Sequence, residues 1–141
     1  GRVPSRVTKT TLPGALWRLY ALREWVHRVP QQASREYAAG IRFTDVAHAV
    51  AGIAEPPTPE ELHRVIDDVL AGLFQGDLAI ALERAAAFCA VVAAGRAEVA
   101  HDLDGPAPED ASALTRTASA MLAMSEDLRA SASLWRAGRL D

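Results

Sequence analysis

Each of the four histidines in this chain follows a carboxylate by three residues: Glu24 and His27 in EWVH, Asp45 and His48 in DVAH, Glu60 and His63 in EELH, Glu98 and His101 in EVAH. On a helix that offset puts acid and imidazole on one face. Carboxylate-bridged di-iron and di-manganese bundles use it on two of their helices, with a single glutamate on each of two more. With 18 acids in 141 residues, a fourfold recurrence has odds of about one in a few thousand, but short motifs carry a high false-positive rate. Direction decides between the two. At about 100° per residue, Glu98 and His101 lie roughly 150° from the centre of their helix's apolar line, which turns them to solvent. On the first helix the apolar stripe centres near Ala15 and Val26, with Glu24 on the far side and His27 on the flank. Asp45 and Glu60 fall in first turns, and His27 and His101 in last turns, where the helix dipole favours acids and cations respectively. The pattern is read as solvated faces and helix-end electrostatics, with no cofactor expected. Glu24, His27, Glu60 and His63 remain the candidate ligands should a metal bind.

The other reactive groups read as packing. Cys89 sits in AAAFCAVVAA, an apolar setting that suits a small buried hydrophobe, whereas a reactive thiol needs cationic, partly open surroundings. Arg96 interrupts the same apolar line and needs a partner. Three roles are open to it: pairing with Asp110 or Glu109, snorkelling outward along its aliphatic stem, or binding a ligand. No phosphate-cradling glycine loop, zinc-type Cys/His spacing or Ser/His/Asp arrangement is present, so no catalytic residue is assigned and an enzyme is not expected.

The elements that must position these residues are helices. Alanine is the commonest residue and favours helix, and no useful strand-like alternation appears. Residues 1–12 read as a basic flexible lead-in (Arg2, Arg6, Lys9), with one domain over 13–141. A first helix has Pro13 in its first turn, carries Leu12, Leu16, Leu19, Leu22, Val26 and Val29 on one stripe, and stops at Pro30. Two short helices follow, one ending on Gly40 as a left-handed C-cap, the other running from Thr44 to near Gly52. Thr58, Pro59 and Glu61 spell a capping box that opens a helix striped by Leu62, Val65, Ile66, Val69, Leu70 and Leu73.

Beyond a break at Gly76, with Asp77 as the next N-cap, a helix over about 78–102 repeats Leu78, Leu82, Ala85, Cys89, Val92, Arg96, Val99 and Leu103 in heptad steps. After DLDGPAPED, the last helix sets Leu114, Met121, Leu128 and Trp135 at sevens, with Ala118, Ser125 and Ala132 between them, and closes at Gly138. These two long helices predict an antiparallel hairpin folded at Asp104 and Gly105. That register sets Cys89 opposite Ala120 and Met121, and Arg96 near Asp110 to Ala113. The expected fold is all-α: a four-helix bundle in which the first helix and the capping-box helix cover the long C-terminal hairpin, with the two short helices as a crossover.

Segment 33–70 supports a second reading. Gly40 and Ile41 match a turn, Val46 and Val50 the buried positions of a following helix, and Leu62, Val65 and Val69 a packing helix. In these residues the segment resembles the helix-turn-helix regulators, a resemblance that implies a DNA-binding transcriptional regulator reading bases from residues 44–51. That stretch offers only Thr44, Asp45 and His48 to base edges, where readout usually draws on Arg, Lys, Asn or Gln. The net charge of −3 gives no overall basic field for a phosphate backbone or anionic membrane, so nucleic acid is not the expected partner.

Trp17, Tyr20 and Trp25 lie off the main stripe of the first helix, so they are either wrapped by the crossover or form an interface with a second chain. A lone cysteine forms no internal disulfide, and no run approaches the ~20 uncharged apolar residues of a membrane span. Absent asparagine and arginine in place of lysine suggest a GC-rich bacterium. The sequence therefore predicts a cytoplasmic, bacterial, non-enzymatic protein–protein interaction module that binds a partner protein or forms a homodimer, with the helix-turn-helix regulator as the alternative.

Overall fold

The computed structural model describes residues 11–41, 58–103 and 108–141, apart from the side chains of residue 74 and of 101–116. The described chain is all-α, with helices α1 (Leu12–Arg28), α2 (Pro30–Gly40), α3 (Pro59–Ala71), α4 (Leu78–Leu103) and α5 (Pro108–Arg136) and a 3-10 turn over Gly72–Gln75. Of the expected lead-in over 1–12, residues 1–10 lie outside the described residues, as does the short helix over 44–51, whereas Thr11 and Leu12 form the cap and first residue of α1. Several helix boundaries follow the local signals. Thr11 caps α1 by accepting from the Gly14 amide at 3.1 Å. Thr58 accepts from the Glu61 amide while the Glu61 carboxylate takes the Thr58 amide, both at 3.1 Å. That capping box is worth about 1 kcal/mol to α3. Gly76 and Gly138 hold φ of 89° and 70°, the left-handed geometry glycine adopts without a Cβ clash, and Asp77 caps α4 through the Ile80 amide at 3.0 Å.

Gly40 departs from its expected role. It stays helical, with right-handed Ile41 following, and serves as a contact surface. A Cβ built on Gly40 would stand 1.9 Å from the Val91 carbonyl oxygen, and one on Gly95 would stand 1.6 Å from the Glu36 carbonyl oxygen. The backbones of α2 and α4 therefore meet directly, which only paired glycines permit. As a result α2 is a core helix packed along α4 more extensively than either α1 or α3.

The hairpin of α4 and α5 forms the largest contact in the fold. Helix α4 runs through Leu103 and α5 restarts at Pro108, and the two meet in a register displaced toward higher α5 numbers than the one expected. This shift places Ser125 beside Ala86, whose carbonyl its hydroxyl bonds at 2.7 Å, and brings Thr117 level with Arg96. At the open end the Arg136 guanidinium bonds both carboxylate oxygens of Glu83. That hydrogen bonding holds the Glu83 carboxyl below its ordinary range, so its stabilisation is present at neutral pH and is lost as pH falls through the folded-state value.

The heptad line is buried from Leu78 through Leu82, Ala85, Cys89, Val92 and Arg96, and α5 answers it with Ala118, Ser125, Leu128 and Ala132. Trp135, placed on that line by its spacing, is 40% exposed at the hairpin's end. Helix α4 is apolar on nearly every side because α2, α3 and α5 all pack against it. By length and composition alone Leu78–Ala100 would suffice to cross a membrane, contrary to the expectation that no stretch comes near one. Most of that stretch is buried inside the helix pack, as in a core helix.

The glycine contact yields a prediction. Gly95→Ala should destabilise the protein by about 2 kcal/mol or more in urea unfolding, because α2 has to back away from α4. Gly72→Ala, whose new Cβ would meet only the Ala81 side chain at 4.0 Å, should change stability by under about 1 kcal/mol in either direction.

Candidate functional site

The structure brings together two of the four histidines, by a route other than the acid spacing. His27 on α1 and His63 on α3 stack with ring centroids 4.2 Å apart and planes 24° from parallel. Asp67, one turn after His63, meets His27 Nε2 at 2.9 Å and accepts from Arg23 Nε at 3.2 Å on the same oxygen. His63 Nε2 is buried and has no hydrogen-bond partner among the described residues. Glu24 and Glu60, the acids of the motif, are exposed and stand apart from this cluster. Among the described residues no group of three His, Cys, Asp or Glu side chains is placed to hold a metal ion. The cluster joins α1 to α3. Its signal in the sequence was Asp67 four residues after His63, an offset the three-residue pattern passes over. Asp45 and His48, and the side chain of His101, lie outside the described residues.

Arg96 is buried among four helices. Its Nε and Nη2 donate to Glu36 Oε1 of α2 at 3.0 and 2.8 Å, and its Nη1 donates to the Thr117 carbonyl of α5 at 3.4 Å. The Trp25 ring of α1 lies 5.1 Å from its guanidinium carbon. The other Glu36 oxygen accepts from Gln32 at 3.1 Å. With exposures of 7% and 4% for the Arg96 and Glu36 side chains, this is an interior ion pair. Glu36 reaches Arg96 because the Gly40 and Gly95 contact carries α2 against this level of α4; the side chains of the expected partners Asp110 and Glu109 lie outside the described residues. A guanidinium with its edges on Glu36 and the Thr117 carbonyl and a face toward Trp25 leaves little for a ligand, and Cys89 offers no nucleophile. Desolvation pushes its thiol up to about 12, so it stays protonated at any ordinary pH.

The three aromatics of α1 divide. Trp25 is partly buried against the core and faces Arg96, whereas Trp17 and Tyr20 are 63% and 54% exposed. Arg18, between them in sequence, turns inward to Asp127 of α5 at 3.6 Å. An open cleft of about 590 Å³ lies along α3 beside Arg84, walled by Glu61, Arg64, Asp67 and Asp68. Its charges are of both signs, and Arg84 and Asp68 stand 3.6 Å apart.

For the helix-turn-helix segment, α2 and α3 are present as helices, while the base-reading stretch over 44–51 lies outside the described residues. Comparison of the chain with family models, curated proteins and solved structures finds no match.

Two outcomes test the interior site. Arg96→Met should destabilise by about 3–5 kcal/mol by stranding Glu36, and Arg96→Met with Glu36→Leu should recover much of that loss in a double-mutant cycle. In the native protein a thiol reagent at pH 8 should label Cys89 only as fast as the chain opens, and should label it at once in denaturant.

Proposed function

We propose that this chain is a non-enzymatic protein–protein interaction module of the cytosol that assembles as a homodimer through the outward face of α1. The observation that carries the reading is the exposure of Trp17 and Tyr20 one turn apart on a helix whose inner face is fully used. Tryptophan and tyrosine are enriched among the residues that anchor interfaces, and two neighbouring rings left in water on a stable helix form a contiguous apolar patch. The polar clusters among the described residues are turned to one another, which supports the reading: the Arg96 guanidinium is engaged by Glu36 and Thr117, the Cys89 thiol is protonated and enclosed, and the His27 imidazole is held by Asp67.

A stable interface covers about 800 Å² on each partner, more than two rings on one helix supply, so the association should be reversible and in the micromolar range. Sedimentation equilibrium should show a monomer–dimer equilibrium, and Trp17→Ala with Tyr20→Ala should shift it to monomer. Because both rings lie in solvent, their loss should leave unfolding stability within about 1 kcal/mol of the parent. A chain that remains monomeric at high micromolar concentration overturns the homodimer.

A further inference from the structure

Resting on that reading, we infer that the second copy lies antiparallel along α1, with the charged end of each outward stripe seated on the aromatic end of the other. Arg28 of one copy then lies over Trp17 of the second, and Glu24 of one accepts from the Tyr20 hydroxyl of the second. The exposed residues of α1 are Pro13, Trp17, Tyr20, Glu24 and Arg28, spaced by four, three, four and four, which makes one straight line down the helix. Its middle is aromatic and its C-terminal end is charged.

Glu24 and Arg28 stand in the order that favours an ion pair one turn apart, yet neither pairs with the other or with any described residue. On the flanks of the same helix, Arg18 reaches Asp127, while Arg23 and His27 both reach Asp67. The two unpaired charges are thus confined to the stripe that carries the rings.

Charge complementarity selects the orientation. A parallel copy would set Glu24 on Glu24 and Arg28 on Arg28, and like charges in contact disfavour a pairing. An antiparallel copy with its twofold axis near residue 22 matches position 17 with 28 and position 20 with 24, each twice by symmetry. Both contacts are favourable: a guanidinium over an indole face, and a hydroxyl donating to a carboxylate. The pairing spans 17–28, all within α1. Another antiparallel register, with Trp17 stacked on Tyr20, would leave both charges outside the contact.

The test measures dimer dissociation for the full chain and for Arg28→Ala, Glu24→Ala and Arg35→Ala, the last removing an exposed arginine of α2 that lies off the stripe. Arg28→Ala should weaken the dimer about tenfold, since the cation–π contact is lost at two symmetric places. Glu24→Ala should weaken it several-fold and Arg35→Ala should leave it unchanged. A dimer that forms through Trp17 and Tyr20 but is indifferent to Arg28 and Glu24 overturns this arrangement and leaves the interaction reading standing. Equal weakening by Arg35→Ala also overturns it, and a wild-type chain that never dimerises removes both.

Discussion

The fold depends on one close approach, that of the α2 backbone to the α4 backbone at Gly40 and Gly95. Two main chains come within contact only where neither carries a side chain, and here each missing Cβ would lie within 2 Å of the other helix's carbonyl oxygen. The approach delivers Glu36, one turn before Gly40, to Arg96, the residue after Gly95. Had the helices stood at the usual 8–10 Å separation, the arginine would have been left with its charge buried and no carboxylate in reach. Close packing and ion pairing therefore depend on the same approach of α2 to α4.

Around that contact a single guanidinium connects four helices. Arg96 belongs to α4, binds Glu36 of α2, reaches a carbonyl of α5 and faces an indole of α1. Such a buried pair adds little net stability over an apolar replacement of the same volume, but it tolerates few alternative registers because each hydrogen bond must be met. The same crowding explains why α4 is apolar on almost all sides and why Cys89 at its centre is chemically silent. Burial raises a thiol's ionisation threshold and keeps reagents out, so enclosure alone removes the only sulfur nucleophile in the chain.

The proposed function rests on the surface. The polar groups at helix contacts are spent on one another: His27 and Arg23 on Asp67, Arg18 on Asp127, Arg136 on Glu83. Helix α1 has an inner face committed to the core and an outer line of five residues on which two aromatic rings stand in water. That division sets a largely engaged interior against an exposed aromatic stripe.

The sequence by itself determined what depends on neighbours along the chain. The capping box at Thr58 and Glu61, the left-handed glycines at 76 and 138, the proline at the head of α1 and the buried heptad line of α4 all arise from interactions within a few residues. Local spacing is enough to read them. Direction around a helix also showed that Glu24 points outward and that Cys89 is enclosed. What only the tertiary structure decided are the pairings between helices distant in sequence: Gly40 with Gly95, Glu36 with Arg96, His27 with His63 and Asp67. A glycine at a helix end has the same local signature whether it turns the chain or touches another backbone, so Gly40 has the local signature of a cap. An arginine in a heptad line announces that it needs an anion without saying which one, and Arg96 finds an acid 60 residues distant. The division among Trp17, Tyr20 and Trp25 was decided in the same way. Which rings remain in water depends on where α2, α4 and α5 come to rest, and that is set by packing over the whole chain.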